Sequence, residues 1–257
     1  MTPTGDSSAE PSRGGIFLQL RLALSFLTIL PMRIDSASEA DVAASMAWFP
    51  SVGLLMGIAF ALEDRALSSL IPHAIRSAIV ILSMTFLTGA VHLDGLADTA
   101  DALGAGVDRA RALEILRDSR IGTFGAIALF FALAFKLIAI ETVFGRPRLA
   151  MLVLAPMLGR WAMVAVSHNV EYLRTSGAGS AMLGRDGSRN PAIASIVPLA
   201  AMIAFFSRKA IEAYVFAVIA VFILRWFYRR WLGGVTGDLI GACGEMVEVL
   251  AMIILAS

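Results

Sequence analysis

The chain has 257 residues, 58% of them hydrophobic and 16% charged, with a net charge of +1, whereas soluble domains run nearer ~45–50% apolar and ~25% charged. Such a composition excludes a disordered chain and a disulfide-stapled secreted scaffold. Its apolar residues gather into runs near the roughly 20 needed to cross a bilayer, which argues against a soluble two-domain enzyme, and a near-neutral total gives no electrostatic footprint for nucleic acid. The class implied is all-α: a polytopic integral membrane helical bundle.

Residues 1–15 are polar and rich in Pro, Gly and Ser, the composition of a disordered tail. The stretch from Ile16 to Met32 is apolar but carries Arg21 and Pro31, and the tail before it is poor in basic residues. That is a poor signal peptide, and the stretch reads as an amphipathic or re-entrant helix at the membrane surface rather than a span. About seven spans follow, near 44–62, 75–93, 121–144, 149–168, 191–207, 211–228 and 236–256. No repeat is evident, so 16–257 reads as one membrane-embedded domain. With the N-terminus inside, the inner segments hold 13 of the 21 basic residues and the outer ones six, which puts the inner segments in the cytoplasm. The single cysteine, Cys243, reads as a small buried hydrophobe.

The strongest chemical signal is HLDGLADTADALGAG, His92 to Gly106. Asp94, Asp98 and Asp101 are spaced i, i+4, i+7 and share one helical face. Three stacked carboxylates repel one another unless a cation neutralises them, and an all-oxygen set suits a hard ion such as Mg²⁺. A capped, solvated helix start would explain Asp94 but not the register of the other two. Gly95 reads as room for a bulky ligand, and His92 as an acid, base or donor near phosphate, or as an ordinary structural histidine.

Between this stretch and the next span lies RDSRIGTFG. Arg117, Ser119 and Arg120 there could clamp a phosphate with the free N–H groups of a helix start, or simply mark the cytoplasmic side. Arg160 sits within a span and needs an anionic partner, Glu245 or a substrate phosphate; Lys136 reads as paired or snorkelling. The Gly-rich basic segment from Arg174 to Pro191 reads as a lid or a connector. The last span, GGVTGDLIGACGEMVEVL, holds Asp238 and Glu245 on one face with Glu248 about a turn further. Carboxylates in such a segment are functional candidates, and the charge bias starts this helix on the same side as the aspartates.

These strings resemble the cobalamin synthase family, the adenosylcobinamide-GDP ribazoletransferases. The likeness runs from about Phe26 and includes SFLTILP, WFPSVGLLMG, HLDGLADTAD, LEILRDSRIGTFG and GGVTGDLIGACGEMVEVL. One departure is Ile29, where the family commonly has Arg; Arg33 is a neighbour that could substitute. The resemblance implies a multi-pass enzyme of the bacterial inner membrane that uses Mg²⁺ and adenosylcobinamide-GDP. The adenosylcobinamide phosphate group passes to α-ribazole or its 5′-phosphate, and GMP is released. On that reading Asp94, Asp98, Asp101, Asp238 and Glu245 hold the metal. Asp94, Asp98, Asp238, Glu245 and His92 serve the chemistry, and Arg117, Ser119, Arg120 and Arg160 bind substrate. The site then faces the cytoplasm, with the bilayer as the other partner. A CDP-alcohol phosphotransferase would have Ala-Arg where Leu96 and Ala97 stand. A prenyltransferase would want two motifs nearer NDxxD, and a transporter leaves the DGxxDxxD register without a purpose.

Overall fold

The computed structural model describes residues 15–118, 120–174, 191–205 and 207–257. The expected tail lies outside them except for Gly15, as does most of the segment from Arg174 to Pro191. The described chain is helical throughout, apart from one isolated backbone pairing of Tyr172 with Val235.

Helix α1, Ile16–Leu27, has 12 residues, about 18 Å at 1.5 Å per residue and too short to cross a ~30 Å hydrocarbon core. It buries Leu22, Ala23 and Leu27 and leaves Ile16 and Phe17 exposed, as an amphipathic surface helix should. Helix α2, Glu39–Ser45, opens on a reciprocal cap between Ser38 and Asp41. It runs through a tight turn, Met46–Trp48, into α3, Phe49–Leu67.

Helix α4, His73–Leu87, fills most of the span expected at 75–93, and α5, Val91–Gly104, which carries the motif that follows it, meets α4 at 86°. Gly89 and Ala90 both take left-handed backbone, φ 60° and 57°. Glycine does this freely, while alanine pays of order 1–2 kcal/mol, so the packing around the bend must hold it. The aspartate motif therefore turns sideways where a continuous helix would have carried its start along the span.

Next come α6, Arg109–Ile115, capped by Asp108; α7, Thr123–Thr142; α8, Gly145–Ser167; and α9, Pro191–Ala204. Helices α10, Arg208–Trp231, and α11, Gly237–Ala256, close the chain, capped by Ser207 and Thr236. Among the described residues, five stretches are long and apolar enough to cross a membrane: α2–α3 together, α7, α8, α10 and α11; the bent α4–α5 pair makes a sixth if it counts as one span. The seventh expected span, near 191–207, is the 14-residue α9, short of a crossing by itself.

Helix α8 is the axis of the bundle. It is buried along most of its length, against α3 on one side and α11 on the other. Glycines set these crossings: a Cβ on Gly53 or Gly57 would strike the α8 backbone, and one on Gly159 would strike the Gly244 carbonyl. Helices α7 and α10 instead turn Phe130, Phe131, Phe216, Phe222 and Trp226 outward, the surface a lipid-facing helix presents.

Candidate active site

Two groups of acids emerge from the packing, one across the contact between α5 and α11 and one where α11 meets α7 and α8. The first fixed point of the α5–α11 contact is Gly95, where a Cβ would lie 2.7 Å from the Asp238 carbonyl oxygen. The space expected there for a ligand is filled by the α11 backbone, and this approach brings the aspartates of α5 beside Asp238. A second is Gly241, which passes close over His92.

At the outer end of this contact, Asp94 is exposed, and Asp98 and Asp238 are half-buried. The Asp98 carboxylate is set among those of Asp94, Asp238 and Asp101, with Arg174 as the opposing charge. Neither Asp94 nor Asp98 accepts a side-chain hydrogen bond from a described residue. Arg174 pairs with Asp238 and donates to the Leu116 carbonyl at 2.7 Å, tying α11 to the end of α6. It is held there by the short backbone pairing: Leu173 N–H donates to Val235 O at 2.9 Å and Val235 N–H to Glu171 O at 2.8 Å. Gly234 makes this possible, since a side chain there would collide with the Glu171 carbonyl. The sequence places Arg174 at the start of a Gly-rich loop, and the Gly233–Gly234 pair is the available sign that another backbone segment passes close.

Asp101 points elsewhere. Its Oδ2 accepts the Gly122 N–H at 2.7 Å and its Oδ1 the Gly125 N–H at 2.8 Å, so it caps the start of α7 from a neighbouring helix. A Cβ on either glycine would run into this carboxylate, which explains the Gly-x-x-Gly of IGTFG. The capping contact also places the 117–122 loop beside the aspartates. Arg117 and Arg120 are exposed there, and Arg120 grips Asp118, whose carboxyl that hydrogen bond holds down at about 2. Ser119 lies outside the described residues.

The second group is buried. Lys136 Nζ donates to Glu245 at 2.6 Å and to Glu248 at 2.7 Å, and Arg160 pairs with the other oxygen of Glu248. All four side chains are at least 96% buried. Glu245 thus faces Lys136 and not the aspartates, and the partner of Arg160 is Glu248 where Glu245 or a phosphate was expected. The Gly159–Gly244 crossing sets that register, one turn beyond Glu245. His92 is buried against the same cluster, beside Arg160, Glu248 and Lys136, with its Nδ1 unpartnered among the described residues.

Chemically the two groups differ in balance. The outer one sets three carboxylates, Asp94, Asp98 and Asp238, against one guanidinium. The inner one sets two carboxylates against two cations. No three His, Cys, Asp or Glu side chains among the described residues close on a point as a finished metal cage would. The outer donors are nevertheless hard oxygens with charge to spare, and Mg²⁺ is commonly held by one or two carboxylates with substrate phosphates supplying the rest. The residues present fit that ion.

Residues 19–256 match the family model described as cobalamin-5-phosphate synthase. The chain is 39% identical over 236 residues to an adenosylcobinamide-GDP ribazoletransferase of Syntrophobacter fumaroxidans, covering 90% of this chain and 94% of that protein. Proteins of the same name from Desulforamulus reducens and Citrobacter koseri are 35% and 34% identical, over 91% and 90% of this chain and 94% and 97% of theirs. No solved structure matches.

Proposed function

The chain belongs to the cobalamin-5-phosphate synthase family, and from that premise we propose that it is a membrane-embedded ribazoletransferase acting on adenosylcobinamide-GDP. A ribose hydroxyl of α-ribazole, or of its 5′-phosphate, attacks the phosphorus that carries adenosylcobinamide. A new P–O bond forms, the bond to the bridging oxygen breaks, and GMP departs with the charge of that oxygen. The hydroxyl proton passes to a carboxylate of the outer group.

Asp94 and Asp98 would hold Mg²⁺, with Asp238 beside them. Bound there, the ion supplies positive charge against the pyrophosphate and the departing GMP oxygen. Arg174 orients Asp238 and offers its remaining N–H groups to a phosphate oxygen. Arg117 and Arg120 border the site from the 117–122 loop, with Arg120 exchanging Asp118 for substrate phosphate. Asp101 fixes the start of α7 against α5. Glu245, Arg160 and His92 serve from behind, holding α5, α7, α8 and α11 in register. The site opens to the cytoplasm at the inner membrane of a bacterium, and residues 16–257 act as one catalytic domain.

The observation that carries this reading is the gathering of Asp94, Asp98 and Asp238 around one guanidinium, which leaves an excess of negative charge on the surface of an otherwise charge-poor protein. Membranes containing the protein should release GMP from adenosylcobinamide-GDP when α-ribazole and Mg²⁺ are present, and should leave CDP-alcohols intact. No GMP under those conditions sinks the proposal.

A further inference from the structure

At the other end of the bundle, the second half of α3 and the first turns of α8 enclose a cavity of about 710 Å³. The two helices are antiparallel, since Gly53 lies against Pro156 and Met157 while Gly57 lies against Leu152 and Val153. The opposite end of α8 runs beside the start of α11. Most of a 23-residue helix, about 34 Å long, therefore separates this cavity from Asp238.

Its walls are of two kinds. Ile58, Leu62 and Leu149 form an apolar wall and are themselves 41%, 65% and 45% exposed, so the cavity opens sideways through surfaces that face lipid. Arg65, Arg76, Arg146 and Arg148 form the other wall, with Asp64 as its carboxylate. Arg148 reaches Asp64 through Nε at 3.0 Å and Nη2 at 2.6 Å, and Arg76 Nε approaches the same carboxylate at 2.8 Å. Two buried guanidiniums thus share one acid, and the Arg76 Nε contact lacks hydrogen-bond geometry. Glu141 stands behind His73 at 3.7 Å, outside the lining. Arg65, in the last turn of α3, and Arg146, in the first turn of α8, are exposed and have no carboxylate partner among the described residues.

An apolar wall open to the side, with surplus cationic charge where two spans end, is complementary to an amphiphile with an anionic head. We infer that this cavity binds one anionic phospholipid. Its phosphate lies between Arg65 and Arg146, and an acyl chain runs along Ile58, Leu62 and Leu149. A free anion would use the basic wall and leave the apolar one unfilled; a zwitterionic lipid would bring a cation to a wall that already has too many.

The test titrates full-length protein in neutral detergent with phosphatidylglycerol and counts bound lipid by native mass spectrometry. Parallel arms use phosphatidylcholine of the same chains and inorganic phosphate as a competitor. The expected result is one phosphatidylglycerol bound in preference to phosphatidylcholine and not displaced by phosphate. R65Q/R146Q should weaken it by about tenfold or more, having lost two surface cations, with the melting temperature unchanged. Leu149→Glu, which puts a negative charge on the apolar wall and spares both arginines, should weaken it as well. Equal binding of phosphatidylcholine, displacement by phosphate, or undiminished binding to the folded R65Q/R146Q variant would each overturn the inference.

Discussion

The outer and inner acid groups are both carboxylate clusters that share helix α11, the outer one facing α5 and the inner one facing α7 and α8, yet they are built to opposite ends. Asp94 is exposed and Asp98 and Asp238 are half-buried, with Arg174 as their counter-charge. Glu245 and Glu248 lie in the core, matched one for one by Lys136 and Arg160. A balanced buried cluster has its desolvation offset internally and asks for no ligand. An unbalanced one at the surface is stabilised by whatever cation arrives. An acid in a span is therefore read best by the charge around it: position alone groups Glu245 with the aspartates, while its partner is Lys136.

The contrast predicts separable failures. The largest effect falls on the outer group: Asp98→Asn or Asp94→Asn should lower GMP release by roughly a thousandfold, with the melting temperature kept or raised because like-charge repulsion is relieved. Lys136→Met should act on stability instead. It leaves two buried carboxylates facing one guanidinium and should cost about 3–5 kcal/mol of stability, measured by denaturant unfolding in detergent. Lys136→Met with Glu245→Leu restores the balance and should recover most of that loss. If it does not, the inner group is more than a counted set of charges.

Gly95→Ala tests the join between α5 and the outer group. The added methyl meets α11 backbone at Asp238, which cannot swing aside, so stability should drop by about 1–3 kcal/mol and GMP release should fall further than that loss of folded protein explains. The smallest effect is expected for Asp101→Asn, about 1 kcal/mol for a weakened cap, with GMP release near wild type once melting is taken into account. A fall as large as that of Asp98→Asn would return Asp101 to the ion's ligands.

Much of this was legible in the residues because apolar length and helical register are local properties. The spans near 44–62, 121–144, 149–168, 211–228 and 236–256 all correspond to helices, and the i, i+4 register of Asp94 and Asp98 does face Asp238. What stayed hidden depends on partners distant in the chain. The bend at Gly89–Ala90 needs tertiary support for a left-handed alanine, and a lone Gly in LTGAVH signals it weakly. Asp101 left the face it shares in register because Gly122 and Gly125 offered it two N–H groups. Arg160 found Glu248 one turn past Glu245, a choice set by where two glycines cross. Arg174 reaches Asp238 through the pairing of Val235 with the chain beside it, a contact between residues distant in sequence.

On the proposed function, the outer acids, and not the inner ones, gather the cation on which transfer depends. Binding of Mn²⁺, a paramagnetic stand-in for Mg²⁺, can be followed by electron paramagnetic resonance on purified protein with adenosylcobinamide-GDP present. The account predicts bound Mn²⁺ in the wild type and in the rebalanced Lys136→Met, Glu245→Leu variant, and its loss in Asp98→Asn. Undiminished Mn²⁺ binding by folded Asp98→Asn would contradict it.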